Sequence, residues 1–120
     1  MSIDVEFITF EEIKNGILDN GEIKVIINSG DAGTAFSGDK NWIDEKVVTT
    51  IRRFVDNGGG FIGVGEPSAY QFEGRYFQLS DVLGVDREMN FSLSTDKYNE
   101  MDSEHFILED IDGAVDFGEG

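Results

Sequence analysis

The sequence contains no cysteine among its 120 residues. Disulfide bonds, thiolate nucleophiles and cysteine-based zinc sites are therefore excluded. Basic residues are also scarce, since nine Lys and Arg stand against 25 Asp and Glu and leave a formal net charge of −16. Because a field of this sign repels phosphate backbones and anionic lipid headgroups, the composition argues against binding to nucleic acids or membranes.

Long apolar runs are missing as well. No segment approaches the roughly 20 apolar residues of a membrane-spanning helix, and the N-terminus lacks the basic-then-apolar order of a secretion signal. We therefore expect a cytoplasmic protein. The chain has a single proline and no low-complexity tract, so no internal linker is predicted and the length indicates one domain.

The stretch from Asn57 to Val85 is the most informative part of the chain. It opens with glycines 58–60, which can end a preceding helix because glycine readily adopts positive φ. Residues 61–65 then have the pattern of a strand buried on both faces, which is typical of a parallel sheet. Gly63 has no side chain, so another backbone or a ligand can approach this strand closely. Pro67 ends the strand because it cannot donate a ladder hydrogen bond.

The remaining periodicity predicts alternating strands and helices. The predicted strands cover residues 3–9, 22–28 and 61–65, with weaker candidates at 90–94 and 106–108. The predicted helices cover residues 10–18, a segment that begins at Asp39 or Asn41 and ends at Asn57, and residues 76–83. Gly84 is the expected C-terminal stop of the last of these helices. Thr9 and Glu12 match a capping box for the first helix. The order βαβαβ implies right-handed crossovers, so we expect a three-layer, mostly parallel α/β fold.

Polar residues follow the predicted strand over 61–65, at the edge where open α/β sheets place their sites. The candidate site residues at this edge are Glu66, Ser68, Tyr70 and Gln71. A second polar, glycine-bearing loop over 28–33 follows the preceding strand. Because both loops occupy the same architectural position, we expect them to lie side by side.

Arg75 is a further candidate because cations are few in this chain. It would lie at the start of the predicted helix over 76–83, where the helix dipole disfavours a positive charge. Two interpretations stay open, a structural ion pair with Glu66 or Glu73, or contact with an anionic partner from outside.

Nucleotide binding and serine hydrolysis match the sequence poorly. Gly63-x-Gly65-x-x-Ser68 lacks the third glycine of dinucleotide-binding loops, and Pro67 removes an N–H that would face the pyrophosphate. Ser68 has no GxSxG context, and the chain contains a single histidine, His105. A serine hydrolase is therefore poorly supported.

The carboxylates do not form a specific pattern either. Asp96, Asp102 and Glu104 match no calcium-loop spacing. Glu66 and Asp31 could be paired on paper as glycosidase carboxylates, but with 25 acidic residues in the chain such a pairing carries little weight.

Four segments together resemble a known family: INSGDAGTAFSGD, GGGFIGVGEPSA, GRYFQLSDVLGVD and SLSTDKY. They are similar to the middle domain of the galacto-N-biose/lacto-N-biose phosphorylases, the 1,3-β-galactosyl-N-acetylhexosamine phosphorylases. The similarity runs from Val5 to about Gly118 and is most distinctive from Gly58 to Asp86. The domain resembles the flavodoxin-like, class I glutamine-amidotransferase-like fold, whose catalytic cysteine follows the strand that corresponds to residues 61–65. Here Gly65-Glu66 stands at that bend, so amidotransferase chemistry is excluded.

The resemblance implies a non-catalytic accessory domain of a sugar phosphorylase of the glycosyltransferase class. The parent enzyme would use phosphate to cleave β-1,3-galactosyl-N-acetylhexosamine to α-galactose 1-phosphate and N-acetylhexosamine. The acid catalyst of that family lies on an N-terminal TIM barrel, so the resemblance places no catalytic residue on this chain and implies no metal or organic cofactor. The partners it implies are the TIM barrel of the same chain, inorganic phosphate, the disaccharide and a second subunit. The 120 residues would then be a fragment of a longer multidomain enzyme.

The alternative interpretation is a free-standing small-molecule-binding or assembly module of glutamine-amidotransferase-like fold, without catalysis. A TIM-barrel segment upstream of Ile3 in the same reading frame would favour the accessory domain. A natural stop codon soon after Gly120 would favour the free-standing module.

Overall fold

The computed structural model describes residues 3–31 and 37–87, which all belong to one unit, Met1–Asn90. The helices are α1 (Phe10–Lys14), α2 (Glu45–Asp56) and α3 (Ser80–Leu83), with 3-10 turns at Ile17–Asn20 and Asp39–Ile43. The strands are β1 (Val25–Gly30), β2 (Gly60–Gly65), β3 (Ala69–Phe72) and β4 (Arg75–Phe77). Within the described ranges, no helix has the length and apolar character that crossing a membrane would need.

The first sheet consists of β1 and β2, which are parallel neighbours joined through α2. Val25 lies opposite Gly60, and the register continues without a shift to Gly30 opposite Gly65. The predicted strand over 61–65 and its parallel pairing are thus confirmed. The weaker strand candidates at 90–94 and 106–108 lie outside the described residues.

The two faces of this sheet differ in burial. On one face Ile26 is buried and Phe61 packs against the core. On the other face Ile62 remains 49% exposed and Val64 52% exposed. The expectation of a strand buried on both faces is therefore wrong for the part of the chain that the structure describes, because no described element covers this second face.

The core lies against α2. Its fully buried aliphatic side chains are Val47, Ile51 and Leu79. Trp42, in the 3-10 turn that precedes α2, is also buried, and its ring meets Phe10 edge-on with the two centroids 5.2 Å apart. Burial of these large apolar side chains, each worth about 1.5–3 kcal/mol, is the main stabilising contribution in this part of the molecule.

The ends of the helices follow local sequence signals. Thr9 and Glu12 form the predicted capping box at α1, where the Thr9 hydroxyl accepts the Glu12 N–H at 3.2 Å and the Glu12 carboxylate accepts the Thr9 N–H at 2.8 Å. The cap of α2 is Asp44, whose carboxylate accepts the Lys46 N–H at 2.9 Å. The predicted start of α2 at residue 39 or 41 is wrong because a 3-10 turn precedes the helix.

The alternating apolar and acidic residues of segment 3–9 predict a strand, and this prediction is wrong for the described chain. It carries no regular secondary structure, and no described strand pairs with it. Ile3, Val5 and Phe7 are all highly exposed, and Phe7 is 102% exposed. Alternation selects a face, but a strand also requires a neighbouring edge to accept its backbone hydrogen bonds.

The second sheet is an antiparallel hairpin of β3 and β4, in a region where sequence periodicity predicts a helix over 76–83. The turn between the strands is Glu73-Gly74, with φ of +50° and +79°. Two successive residues at positive φ give the backbone twist that suits a tight hairpin. The helix α3 therefore starts only at Ser80, and it ends at Gly84 (φ +72°), the predicted C-terminal stop.

An ion pair joins α2 to α3. The Arg52 guanidinium contacts the Asp81 carboxylate through Nε at 2.7 Å and through one terminal nitrogen at 3.0 Å, and that nitrogen also donates to the Gln78 carbonyl at 2.9 Å. The hydrogen bond from Arg52 is the main cause of a lowered Asp81 pKa, and the charge of Arg52 adds to it.

Replacing Asp81 by asparagine is expected to lower the free energy of unfolding by about 0.5–1 kcal/mol at neutral pH, a modest loss because the pair is partly exposed. Since the pKa of Asp81 is lower in the folded state, the stabilisation exists above the unfolded-state pKa and is lost as pH falls through the folded-state pKa. Urea unfolding at neutral and strongly acidic pH measures this difference. Asp4→Asn makes the same charge change at an exposed residue and is the control. A difference that persists unchanged in strong acid would contradict the role of the ion pair.

Candidate functional site at the strand ends

The loops that follow β1 and β2 are joined through Asn28. Its side-chain amide donates to the Ser37 carbonyl at 3.1 Å, and its side-chain oxygen accepts the Ser68 N–H at 2.9 Å. A backbone hydrogen bond from the Glu66 N–H to the Gly30 carbonyl, at 2.8 Å, adds a second link. The prediction that the two loops lie side by side is confirmed.

Ser68 is a buried junction between these loops and α3. Its side chain has 0% exposure, and its backbone adopts φ +52°. The hydroxyl oxygen accepts the Leu79 N–H at 3.1 Å, while the Ser68 carbonyl accepts the Gln78 N–H at 2.9 Å. The Ser68 hydroxyl accepts a hydrogen bond from a buried backbone N–H and does not face solvent. Its role in this part of the chain is therefore structural.

Another part of the chain comes close to β2 at Gly63, as the lack of a side chain there predicts. The neighbour is the ring of Pro67, since a Cβ atom built on Gly63 would lie 2.4 Å from the Pro67 Cγ atom and 3.2 Å from the Leu83 Cδ2 atom. Pro67 therefore folds back over the strand that it ends, and its ring occupies the space next to Gly63 that a side chain would fill.

Glu66 lies in a cluster with Tyr76 and Arg87. The Tyr76 hydroxyl donates to the Glu66 Oε1 atom at 2.9 Å, and the Arg87 guanidinium forms an ion pair with the same oxygen. Arg87 also donates to the Tyr76 hydroxyl at 3.1 Å, and its Cζ atom lies 4.9 Å from the centre of the Tyr76 ring. Partial burial, followed by the hydrogen bond to Glu66, raises the pKa of Tyr76.

The other predicted site residues lie on the hairpin and do not converge with Glu66. Tyr70 is half-buried and packs against the core, and its carbonyl accepts the Gln78 side-chain amide at 2.7 Å. Gln71 is exposed on β3. Arg75 is exposed on β4, so its predicted position at a helix start is wrong.

Arg75 also lacks the predicted ion pair, since no carboxylate in residues 3–31 or 37–87 lies within ion-pair distance of it. The cation that pairs with Glu66 is Arg87, 21 residues further along the chain. Sequence reasoning missed Arg87 and Tyr76 because only the hairpin and α3 bring them back to the end of β2.

Gln78 is a second residue that sequence reasoning missed. Its side-chain amide faces the carbonyls of Tyr70, Phe72 and Arg75 at 2.7, 3.4 and 3.3 Å. The Gln78 side chain thus bridges the two strands of the hairpin, β3 and β4. No local signal identifies it, because a glutamine after an aromatic pair also suits the exposed face of a helix.

Among the described residues, no group of three or more acidic or histidine side chains is arranged to hold a metal ion. The carboxylates Asp96, Asp102 and Glu104 and the histidine His105 lie outside those residues. The candidate site is therefore a rim of loops whose polar groups bind mainly to one another.

These observations define an α/β domain whose strand-end loops are held by intrachain hydrogen bonds. The chain belongs to the family described as the lacto-N-biose phosphorylase central domain, because the model of that family matches residues 1–120. The resemblance inferred from the sequence is thereby confirmed.

The chain is similar to several curated proteins, of which three are described here. The chain is 55% identical over 121 residues to a 1,3-β-galactosyl-N-acetylhexosamine phosphorylase of Lachnoclostridium phytofermentans, covering 100% of this chain and 17% of the relative. It is 46% identical over 114 residues to the enzyme of that name from Bifidobacterium longum, covering 92% of this chain and 15% of the relative. It is 38% identical over 99 residues to a D-galactosyl-β-1→4-L-rhamnose phosphorylase of L. phytofermentans, covering 82% of this chain and 13% of the relative. The chain thus spans about a sixth of the length of the first of these relatives.

Proposed function

We propose that this chain is a non-catalytic accessory domain of an enzyme that reversibly phosphorolyses β-1,3-galactosyl-N-acetylhexosamine to α-galactose 1-phosphate and N-acetylhexosamine. The observation that carries the proposal is the match of the whole chain to the central domain of this family, together with relatives that bear the name of that activity. Inorganic phosphate and the disaccharide are then substrates of the complete enzyme.

The described strand-end groups support an accessory role. Ser68 is buried and engaged by a backbone donor, and Glu66 is engaged by Tyr76 and Arg87. A general acid or nucleophile has to reach the reacting atoms of a bound substrate. Neither group is presented in that way, so we place the reacting groups on another part of the enzyme.

The relatives support the separation of this domain from substrate choice. A similar domain occurs in a phosphorylase whose name specifies a β-1→4 linkage and rhamnose in place of a β-1,3 linkage and N-acetylhexosamine. We therefore infer a task common to both, which is to pack on the catalytic TIM barrel and contribute to subunit assembly.

The fold that we propose for the complete domain is a three-layer, mostly parallel sheet of the flavodoxin-like, class I glutamine-amidotransferase-like type. It is supported by the parallel β1–α2–β2 unit, in which one helix covers one face of the sheet. We also propose that the protein is cytoplasmic, in agreement with its cysteine-free, acidic composition.

A direct assay tests the accessory role. The 120-residue chain and the complete enzyme that contains it would be incubated with phosphate and galacto-N-biose or lacto-N-biose, and the release of galactose 1-phosphate measured. We expect turnover by the complete enzyme and none by the chain alone. Sugar cleavage by the isolated chain would contradict the proposal, whereas tight binding of a sugar or of phosphate to it would favour a free-standing binding module.

Arg75 tests whether the rim from residue 66 to residue 75 faces the reaction site of the complete enzyme. Because no described carboxylate pairs with Arg75, the Arg75→Ala change should leave stability nearly unaltered. If the rim lies at the mouth of the barrel, the change should lower kcat/KM by roughly tenfold, or about 1.4 kcal/mol. Arg53→Ala, at an exposed arginine of α2 that pairs with Asp19 outside this rim, controls for the loss of a surface arginine. If kcat/KM is unchanged for both sugar and phosphate, residues 66–75 do not face the reaction site of the complete enzyme.

A further inference from the structure

Three Asn-Gly pairs occur in the chain, and the structure describes all of them: Asn15-Gly16, Asn20-Gly21 and Asn57-Gly58. Such a pair can lose ammonia without an enzyme, because the glycine nitrogen can attack the side-chain carbonyl carbon of the asparagine and close a five-membered ring. Glycine favours this attack because it has no Cβ atom to obstruct the ring. The three pairs are alike in sequence, so the surroundings of each glycine nitrogen decide which pair can react.

The glycine nitrogens of two pairs are held by hydrogen bonds. The Gly16 N–H donates to the Ile13 carbonyl at 3.2 Å, and the Gly58 N–H donates to the Val55 carbonyl at 2.9 Å. These bonds close the C-terminal ends of α1 and α2. Attack by either nitrogen therefore requires the end of a helix to open first.

The third pair, Asn20-Gly21, differs in both of its partners. No hydrogen bond from the Gly21 N–H is present within residues 3–31 and 37–87. The Asn20 side chain folds forward over this nitrogen, because its oxygen accepts the Glu22 N–H at 2.9 Å and the bond closes a ring that spans Gly21. The Asn15 side chain turns the opposite way, since its amide nitrogen donates to the Glu11 carboxylate at 3.4 Å.

The hydrogen bond from Glu22 and the open surroundings of Gly21 both favour the reaction. Donation to the Asn20 side-chain oxygen draws electron density from the carbon that is attacked, and it stabilises the negative charge that develops on the oxygen. A Cβ atom built on Gly21 would meet no atom within 4 Å beyond its chain neighbours. Asn20 and Gly21 are both exposed, so water reaches the ring once it has formed.

We propose that Asn20-Gly21 is a site of self-modification, at which the chain converts Asn20 to aspartate or isoaspartate through a cyclic imide. The Gly21 nitrogen gives up its proton and bonds to the Asn20 Cγ atom. The Cγ–Nδ2 bond breaks, and Nδ2 takes up a proton and leaves as ammonia. Water then opens the imide at either carbonyl carbon. The reaction uses only the chain and solvent water, and no substrate of the complete enzyme takes part.

The product changes the junction between the 3-10 turn Ile17–Asn20 and β1. The Asn20 amide donates to the Glu22 carboxylate at 3.1 Å, whereas a carboxylate in its place repels that group. Isoaspartate also adds one methylene carbon to the main chain. The new charge lies next to Asp19, whose carboxylate lies 3.1 Å from the Arg53 guanidinium and links the turn to α2. The modification therefore adds one negative charge and loosens this junction.

Peptide mapping by mass spectrometry tests the site, with folding as the variable. The 120-residue chain would be incubated in mildly alkaline buffer with and without urea, and deamidation followed at each Asn-Gly pair. Because a hydrogen-bonded glycine nitrogen has to be released first, folding is expected to slow the reaction at Asn15 and Asn57 roughly tenfold and to leave the rate at Asn20 within about twofold. Equal slowing at all three pairs would overturn the proposal.

A matched pair of substitutions gives a second readout. Glutamine closes the corresponding larger ring much more slowly than asparagine, so Asn20→Gln should remove the acidic form that accumulates in isoelectric focusing of the folded chain. Asn57→Gln makes the same change at the pair whose glycine donates to Val55, and it should leave that form in place. If the acidic form persists in Asn20→Gln, its source is another residue and the proposal is wrong.

Discussion

Replacing Gly63 by alanine is expected to lower the free energy of unfolding by roughly 2–3 kcal/mol, because the new methyl group has no space. A Cβ atom at this position would lie 2.4 Å from the Pro67 Cγ atom. The proline ring is buried and its φ is restricted, so it cannot turn away as a flexible side chain would. Relief requires β2 and the loop after it to move apart, which weakens the hydrogen bonds that join the two strand-end loops.

Gly60→Ala provides the control within the same strand. There the added Cβ atom would lie 3.2 Å from the Val25 Cγ2 atom, and Val25 is 47% exposed and can shift. We expect a loss below about 1 kcal/mol from this change. Urea unfolding of the two variants and the parent chain gives the comparison. Losses of equal size would show that the contact with Pro67 does not determine the need for glycine at position 63.

The second large effect is expected from Gln78→Glu, which keeps the shape of the side chain and removes its donors. The amide nitrogen of Gln78 lies 2.7 Å from the Tyr70 carbonyl and 3.4 and 3.3 Å from two further carbonyls of the hairpin. A carboxylate oxygen in its place faces only acceptors. We expect a loss of about 2 kcal/mol near neutral pH, because the carbonyls lose their donor and meet a negative charge.

The effect of Gln78→Glu should depend on pH with a definite sign. Three carbonyl oxygens disfavour the charged form, so the pKa of the introduced carboxyl is raised in the folded state. The destabilisation should therefore grow as pH rises through the unfolded-state pKa and shrink as pH falls and the carboxyl becomes protonated. Gln71→Glu makes the same charge change at an exposed position of β3 and should show neither effect. If both variants respond alike, net charge rather than the hairpin contact explains the result.

Local signals in the sequence predicted the elements that depend on neighbouring residues. Thr9 and Glu12 form the predicted capping box because each partner lies within one helical turn of the other. The strand over 61–65 and the stop at Gly84 follow from apolar runs and from the conformational freedom of glycine. The adjacency of the two strand-end loops followed from one topological rule, since parallel strands end at the same side of a sheet.

The hairpin was missed because its signal is short. Tyr76, Phe77 and Leu79 fit the apolar stripe of a helix, and periodicity alone cannot separate a brief strand from a helical turn. The deciding signal was Glu73-Gly74, whose two positive φ angles reverse the chain. Asn-Gly and Asp-Gly are the usual markers of such turns, and Glu-Gly is a weaker one.

The sequence by itself determined the absence of thiol chemistry, the acidic surface, the parallel β1–α2–β2 unit and the family. These properties depend on composition, on local periodicity and on motifs that are contiguous in the chain. Only the tertiary structure decided that Arg87 rather than Arg75 pairs with Glu66, that Gln78 ties the hairpin together and that the space beside Gly63 belongs to Pro67. The physical reason is that each of these contacts depends on how the hairpin and α3 fold back over the sheet, and sequence spacing does not encode that path.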